Sequence, residues 1–215
     1  MKDKKVVVFD LDDTLIKELH YLESAYKEIA LKVDSSNASL FDKMLVLYYR
    51  GENVFKWLTE EYSTAEVSQL LDWYRNHYPN LSLVDGAKEV LSYCKEQNWI
   101  LGLITDGRSI TQRNKLKAIG LVDYFDLVII SEEFGSMKPT LANFEIFNQF
   151  EGIRYYIGDN VKKDFITPNK LGWISICVLD DGDNIHKQNF ELEDNYLPKF
   201  KVRELAETIL ILKEL

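Results

Sequence analysis

Short apolar segments rich in β-branched residues alternate with amphipathic segments along much of the chain. The apolar segments are typical of strands buried on both faces, and each amphipathic segment places its apolar residues on one face of a helix. The repeated succession of strand, helix and strand predicts βαβ units and a parallel sheet. The predicted strands cover residues 6–9, 100–105, 127–130, 155–158 and 173–179, and the predicted helices cover 87–96, 110–119, 142–150 and 202–215.

Residues 16–80 break this pattern because they contain no convincing apolar strand. Four amphipathic helices are predicted instead, and Ser63-Thr64-Ala65-Glu66 has the composition of a capping box for the last of them. This predicts a helical module inserted into an α/β core formed by residues 1–15 and 81–215. The module holds 11 of the 27 aromatic residues, which either fill its own core or line a substrate pocket. Its four helices are predicted at 21–33, 39–49, 54–62 and 64–76.

The charge of the chain limits its partners. Lysine and arginine number 26 and aspartate and glutamate 35, which leaves a net charge of −9. This negative charge disfavours binding to nucleic acids and to anionic membranes, since a protein that binds either needs a surplus of basic side chains. A small anionic substrate stays compatible, because a single pocket can be positive inside an acidic protein. We therefore expect no nucleic-acid partner and no membrane partner, and the sequence does not indicate the oligomeric state.

Cysteines and the N-terminal segment bear on the compartment. Cys94 and Cys177 are far apart and belong to no CxxC or Cys/His pattern, so neither a disulfide framework nor a zinc site is expected. The first apolar run is short and interrupted by aspartates, unlike a secretory signal. The sequence contains no run of about 18 apolar residues, the length needed to span a membrane. These features predict a reduced, cytoplasmic protein.

Two aspartates follow the first predicted strand directly. Asp10 and Asp12 are two residues apart, so in extended backbone their side chains point to the same side. The carboxyl ends of parallel strands are where open α/β sheets bind ligands. Two buried carboxylates this close repel one another unless a cation or a shared proton compensates. The pair therefore indicates a cation or acid–base site, with capping aspartates in a turn as the alternative.

Three later segments place polar residues at or near further strand ends. Thr105-Asp106-Gly107 offers a hydroxyl and backbone amides to an anionic oxygen, and Lys138-Pro139 offers an ammonium group. Gly158-Asp159 and Asp164 offer carboxylates to a hard cation. Alone, these segments are equally typical of a helix cap, a solvated lysine and a turn. Together with the first pair they supply what the handling of a phosphoryl group requires.

In the order and content of these four segments the chain resembles the haloacid dehalogenase superfamily, specifically its Mg²⁺-dependent phosphatases. The resemblance covers essentially the whole chain. It implies an α/β fold of the Rossmannoid three-layer type, with a central parallel sheet and an inserted α-helical C1 cap. Asp13 stands where many relatives have glycine. The matching motifs are Asp10-Leu11-Asp12-Asp13-Thr14, Thr105-Asp106-Gly107, Lys138-Pro139 and Gly158-Asp159-Asn160-Val161-Lys162-Lys163-Asp164.

The resemblance also implies a mechanism. Asp10 would attack phosphorus to form an aspartyl-phosphate, and Asp12 would protonate the leaving oxygen and later accept a proton from the attacking water. Asp12 would bind Mg²⁺ through its backbone carbonyl. Asp164 would be either an additional ligand of the ion or an acid in its outer coordination shell. The implied Mg²⁺ ligands are Asp10, Asp12, Asp159 and Asp164, and the implied phosphate-binding residues are Thr105, Asp106 and Lys138.

Several activities remain open at this point. The leading prediction is a Mg²⁺-dependent phosphohydrolase that acts on a small phosphorylated metabolite, either a nucleotide or a sugar phosphate. A phosphomutase of the β-phosphoglucomutase type would use the same core. A haloacid dehalogenase needs neither Asp12 nor the acidic fourth motif, and a non-catalytic binding module would be expected to have lost such residues. Both are therefore less favoured.

Overall fold

The structure, a computed structural model, describes residues 4–62 and 65–215. The described residues form the strands β1 (Lys5–Phe9), β2 (Ile100–Thr105), β3 (Leu127–Ile130), β4 (Ile153–Gly158), β5 (Ile174–Val178) and β6 (Phe200–Val202). They also form the helices α1 (Glu18–Val33), α2 (Leu40–Tyr49), α3 (Val54–Glu61), α4 (Val67–Asn76), α5 (Ala87–Glu96), α6 (Ser109–Ala118), α7 (Ser131–Phe134), α8 (Ala142–Glu145), α9 (Ile166–Lys170) and α10 (Thr208–Glu214).

The six strands pair in parallel in the order β3-β2-β1-β4-β5-β6. Along β1, Val7 and Phe9 belong to one apolar cluster and Val6 and Val8 to another, because successive side chains point to opposite faces of a sheet. The first cluster includes residues of α5, α6 and α10, and the second includes residues of α8. Helices thus cover both faces, and the predicted α/β fold with a central parallel sheet is confirmed.

The C-terminal part differs from the predicted continuous helix over 202–215. Val202 lies in β6, and the last α-helix begins only at Thr208. The pairing of Val178 with Val202 holds this strand on β5, and so does the hydrogen bond from the Leu179 amide to the Val202 carbonyl at 2.8 Å. A strand of three residues is too short to show a period of two, so its pattern merged with that of the helix. The predicted helix over 142–150 is likewise α8 followed by a 3₁₀ turn, Ile146–Gln149.

Helices α1 to α4 form their own apolar cluster apart from the two clusters of the sheet. Most aromatic residues of this segment lie in or against that cluster, including Tyr26, Phe55 and Trp73, so they fill a helical core. The two ends of the segment meet where the Val84 amide donates to the Leu15 carbonyl at 2.9 Å. The proposed capping box, residues 63–66, begins outside the described residues, and its helix is described from Val67.

Two further features bear on the cysteine and membrane predictions. Both cysteines are buried and free. Among the residues that the structure describes, no helix is both long enough and apolar enough to cross a membrane.

Candidate active site

The candidate site lies where the chain direction across the sheet reverses. The central strand β1 has β2 on one side and β4 on the other, and the chain reaches β2 and β3 before it crosses to β4. Such a reversal leaves a crevice at the carboxyl ends of the strands. Asp10 follows β1, and its amide donates to the Ile157 carbonyl of β4 at 2.9 Å. Asp159 follows β4, so sheet pairing alone brings these two aspartates to one edge.

Three buried carboxylates gather at this edge. One oxygen each of Asp10, Asp159 and Asp164 lies within 4.8 Å of the others. The Asn160 amide donates to Asp164 at 2.9 Å, and Asn184 donates to Asp159 at 3.1 Å, which fixes both side chains. A Cβ atom at residue 158 would lie 2.6 Å from the Asp164 carboxylate, so this carboxylate can approach the strand end only because residue 158 is glycine.

Lys138 is the cation of this cluster. Its side chain has no exposed surface, and its Nζ lies 2.8 Å from an oxygen of Asp10 and 2.8 Å from an oxygen of Asp164. It also donates to the Tyr156 hydroxyl at 3.1 Å. A lysine stays charged when buried only if such partners replace water. When all three carboxyls are ionised, the single ammonium leaves two negative charges in the cluster uncompensated.

The pKa values of the cluster reflect this imbalance. Burial and the neighbouring Asp164 together raise the pKa of Asp10 to about 7 against the opposing effect of Lys138. Burial, with Asp164 and Asp10 nearby, raises the pKa of Asp159 to about 9. The pKa of Lys138 lies well above its ordinary value because Asp10 and Asp164 outweigh the effect of its burial. The carboxylates would therefore be stabilised by a further cation.

The residues present fit a magnesium ion. All three candidate side-chain donors are carboxylate oxygens, which hard divalent cations prefer, and no nitrogen or sulfur donor belongs to the group. The two uncompensated charges match one divalent cation. The Asp12 carboxylate is not part of this group, and the contribution of its backbone carbonyl stays a prediction. Which of the four predicted residues bind the ion remains a prediction.

The end of β2 supplies the next part of the site. Thr105 is buried, and its hydroxyl accepts a hydrogen bond from the Gln112 amide of α6. Asp106 has a side-chain function that the sequence did not indicate, because its carboxylate accepts from the Lys138 backbone amide and from the Lys163 ammonium, each at 3.1 Å. Asp106 thus holds the loop that carries Lys138 against the end of β2.

Asp12 points toward α6, outside the carboxylate cluster. Its two oxygens lie 2.6 Å from Lys115 Nζ and 3.0 Å from Gln112 Nε2. Asp13, its neighbour, has a φ of 55°, a conformation that favours glycine and that aspartate tolerates. The Asp13 carboxylate accepts from the amides of Glu18 and Ile185, both at 3.0 Å. It therefore ties the loop after β1 to the start of α1 and to a distant loop.

A cavity of about 160 Å³ opens onto these groups. It is lined by Asp10, Asp12, Thr105 and Asp159, and also by Glu18 at the start of α1. Burial, with Asp12 nearby, raises the pKa of Glu18 to about 7. A larger cavity of about 590 Å³ lies beside the two connections between the sheet and helices α1 to α4. None of the three clustered carboxylates lines it, so the smaller cavity is the candidate substrate site.

Several residues of the site were not indicated by the sequence. Tyr156 lies inside an apolar strand, where an aromatic residue signals only a core position. Gln112 and Lys115 lie on a helix that also carries polar residues toward solvent, so nothing in its pattern distinguishes them. The three-residue spacing of Gln112 and Lys115 is the one available signal, because it places both on one helix face.

The chain is similar in sequence and in fold to known proteins. The chain is 29% identical to the glyceraldehyde 3-phosphate phosphatase of Methanocaldococcus jannaschii over 98% of both chains. Over half of its length it is 49% identical to the pyrimidine 5'-nucleotidase YjjG of Escherichia coli, of which the match covers 47%. Its fold resembles the magnesium-bound HAD-hydrolase YfnB of Bacillus subtilis, with a TM-score of 0.67, 23% identity and coverage of 98% and 99% of the two chains.

The parallel sheet with acidic strand ends and a buried lysine defines a hydrolase of the haloacid dehalogenase type. Residues 7–178 match the sequence profile of the haloacid dehalogenase-like hydrolases, which is most of the chain. The chain belongs to this family.

Proposed function

We propose that this hydrolase is a Mg²⁺-dependent phosphatase of small phosphorylated metabolites. The observation that carries the proposal is the buried cluster of Asp10, Asp159, Asp164 and Lys138, which opens onto a cavity. The names of the relatives support it, since one is a phosphatase of a phosphorylated sugar and another a nucleotidase. The cavity is smaller than the roughly 300–1,000 Å³ typical of drug-sized ligands, which favours a short leaving group.

Each residue of the site has a role in this proposal. Asp10 attacks phosphorus and carries the phosphoryl group as an acyl phosphate. Asp12 gives a proton to the leaving oxygen and takes one from the water that cleaves the intermediate. A bound Mg²⁺ would neutralise charge on the phosphoryl oxygens. The proposed phosphate-binding groups are the Thr105 hydroxyl, the Asp106 amide and the Lys138 ammonium, and the proposed metal ligands are Asp10, Asp12, Asp159 and Asp164.

Helices α1 to α4 form the cap in this proposal, with residues 16–80 as the inserted cap and 1–15 with 81–215 as the core. Closure of such an element excludes bulk water and selects the leaving group. The contact of Leu15 with Val84 places both connections side by side, as a hinge requires.

The experiment that tests the proposal is a phosphate-release screen over phosphorylated metabolites with and without Mg²⁺. We expect release that requires the metal, with sugar phosphates and nucleotides as the first classes to compare. Isomerisation of a hexose 1-phosphate without phosphate release would favour a phosphomutase. Halide release without metal would favour a dehalogenase. If no compound is turned over, a non-catalytic binding module is the remaining hypothesis.

Replacing Asp159 by asparagine is expected to remove the stabilisation by Mg²⁺ without harming the metal-free fold. Its pKa is raised to about 9, so ionising Asp159 costs folding free energy, and the cost grows as the pH rises from about 4 toward 9. The metal-free variant should melt at the wild-type temperature or above it at pH 8. Wild-type protein should gain about 2.7 kcal/mol at a Mg²⁺ concentration of 100 Kd, and the variant much less. Thermal melts at pH 6 and pH 8 measure both effects, and an equal Mg²⁺ shift in both proteins would contradict the assignment.

Glu18 is proposed to bind hydroxyl groups of the leaving group, because it lines the cavity and is not one of the three clustered carboxylates. We expect Glu18→Gln to lower kcat/KM for a hydroxylated substrate about 10-fold, the value of a charge-assisted hydrogen bond. Its kcat/KM for p-nitrophenyl phosphate, which has no hydroxyl group, should be unchanged. Glu52→Gln, at an exposed position of the same segment, is the control. A similar decrease with both substrates would argue against hydroxyl recognition.

A further inference from the structure

Helix α6 binds two side chains, Asp12 after β1 and Thr105 at the end of the neighbouring strand β2. Lys115 Nζ lies 2.6 Å from Asp12 Oδ1, and Gln112 Nε2 lies 3.0 Å from Asp12 Oδ2. The same Gln112 amide donates to the Thr105 hydroxyl. Both oxygens of Asp12 are therefore held from one helix face, and the hydroxyl at the end of β2 is held by the same side chain.

Lys115 is itself fixed on its other side. Only 3% of its side chain is exposed, and its Nζ lies 4.5 Å from the centre of the Tyr21 ring. Tyr21 is buried, and its hydroxyl donates to the Tyr74 carbonyl at 2.6 Å. A buried ammonium between a carboxylate and an aromatic face has little rotational freedom, since both contacts strengthen where water is excluded.

The contact with Tyr21 belongs to a wider junction between α6 and the helical segment. Thr111 donates to the Arg75 carbonyl at 2.9 Å, and Asn114 donates to the His77 carbonyl at 3.1 Å. Neighbouring residues on this part of α6 thus bind either Asp12 or the end of α4 and the chain beyond it, whereas Arg113 pairs with Glu133. This junction gives α6 a fixed position from which to orient Asp12.

We propose that Lys115 and Gln112 are positioning residues that orient the Asp12 carboxyl toward the leaving group and the attacking water. This inference rests on the proposed function. Proton transfer requires the acid within hydrogen-bond reach of the reacting oxygen, and a displacement of about 1 Å can cost about 100-fold in rate. Two donors on the two oxygens of one carboxyl fix both its position and the plane in which it lies.

The test compares leaving groups that differ in their need for a proton. Phenyl phosphate releases a basic phenolate that needs protonation, whereas p-nitrophenyl phosphate releases a weakly basic one. We expect Lys115→Met to lower the first-turnover release of phenol about 10- to 100-fold more than that of p-nitrophenol. Rapid-mixing measurements of the first turnover isolate this step from the later attack by water. Lys115→Arg, which keeps a cationic donor, should recover part of the loss.

Two further variants complete the design. Gln112→Met removes the amide donor to Asp12 at a similar side-chain length and without adding a charge, and it should reproduce the same preference even where Lys115→Met folds poorly. Lys117→Met, at an exposed position of α6, should change neither rate. Equal losses with both phosphates in Lys115→Met and Gln112→Met, or no loss, would overturn the positioning role. If wild-type protein with Mg²⁺ releases neither leaving group, the proposed function itself fails.

Discussion

Asp10→Asn is expected to abolish phosphate release, with a loss of at least about 10⁴-fold in kcat. Asparagine has nearly the shape of aspartate, but its amide is a far weaker nucleophile toward phosphorus. Because Lys138 keeps Asp164 as a partner at 2.8 Å, the fold should persist. Phosphate release at saturating substrate and Mg²⁺ measures the effect.

The control for this variant is Asp123→Asn, at an exposed position of the core, which should retain wild-type activity. Circular dichroism and the melting temperature show whether the folded state is intact. Substantial phosphate release by a folded Asp10→Asn protein would mean that the phosphoryl group passes directly to water, and the covalent route would be wrong.

Lys138→Met is expected to damage both activity and stability. Loss of one fixed charge at the phosphoryl oxygens commonly costs about 10²- to 10³-fold in rate. Removal of one partner from a buried ion pair costs about 3–5 kcal/mol, because the remaining charges are left buried and unpaired. Asp10 and Asp164 both lose their 2.8 Å contact in this variant.

The stability deficit of Lys138→Met should depend on pH. Lys138 lowers the pKa of Asp10, so without it Asp10 binds a proton more readily and becomes neutral at mildly acidic pH. The deficit should therefore be larger at pH 8 than at pH 5, as measured by urea unfolding without metal. Lys162→Met, at an exposed position, is the matched control. A deficit that does not change with pH would show that Lys138 stabilises the fold by packing and not by charge.

The sequence was informative about the site because its residues follow strands directly. Asp10 and Asp159 each come next after a buried strand, so the sheet order fixes their proximity. The contacts of Lys138 were not predictable in the same way. Lys138 lies on a loop, and 32 residues separate its amide from the Asp106 carboxylate that accepts its hydrogen bond. No periodic pattern reports on a contact between loops of that separation.

The contacts of the α6 residues were also not predictable from the sequence. A lysine on an amphipathic helix is typical of a solvated surface, yet Lys115 is buried because Asp12 and Tyr21 enclose it. Its contact with Asp12 joins residues 103 positions apart. The strand β6 escaped prediction for a different reason, since three residues give no measurable alternation.

By itself the sequence determined the parallel α/β sheet, because strands buried on both faces must be continuous apolar runs. It also determined which residues stand at the strand ends, since each follows its strand without an intervening turn. Tertiary structure alone decided which charges meet: the burial of Lys138 between two carboxylates, the approach of Asp164 over Gly158, and the hold of α6 on Asp12. These contacts depend on how loops and helices pack in three dimensions. Local patterns of apolar and polar residues do not specify that packing.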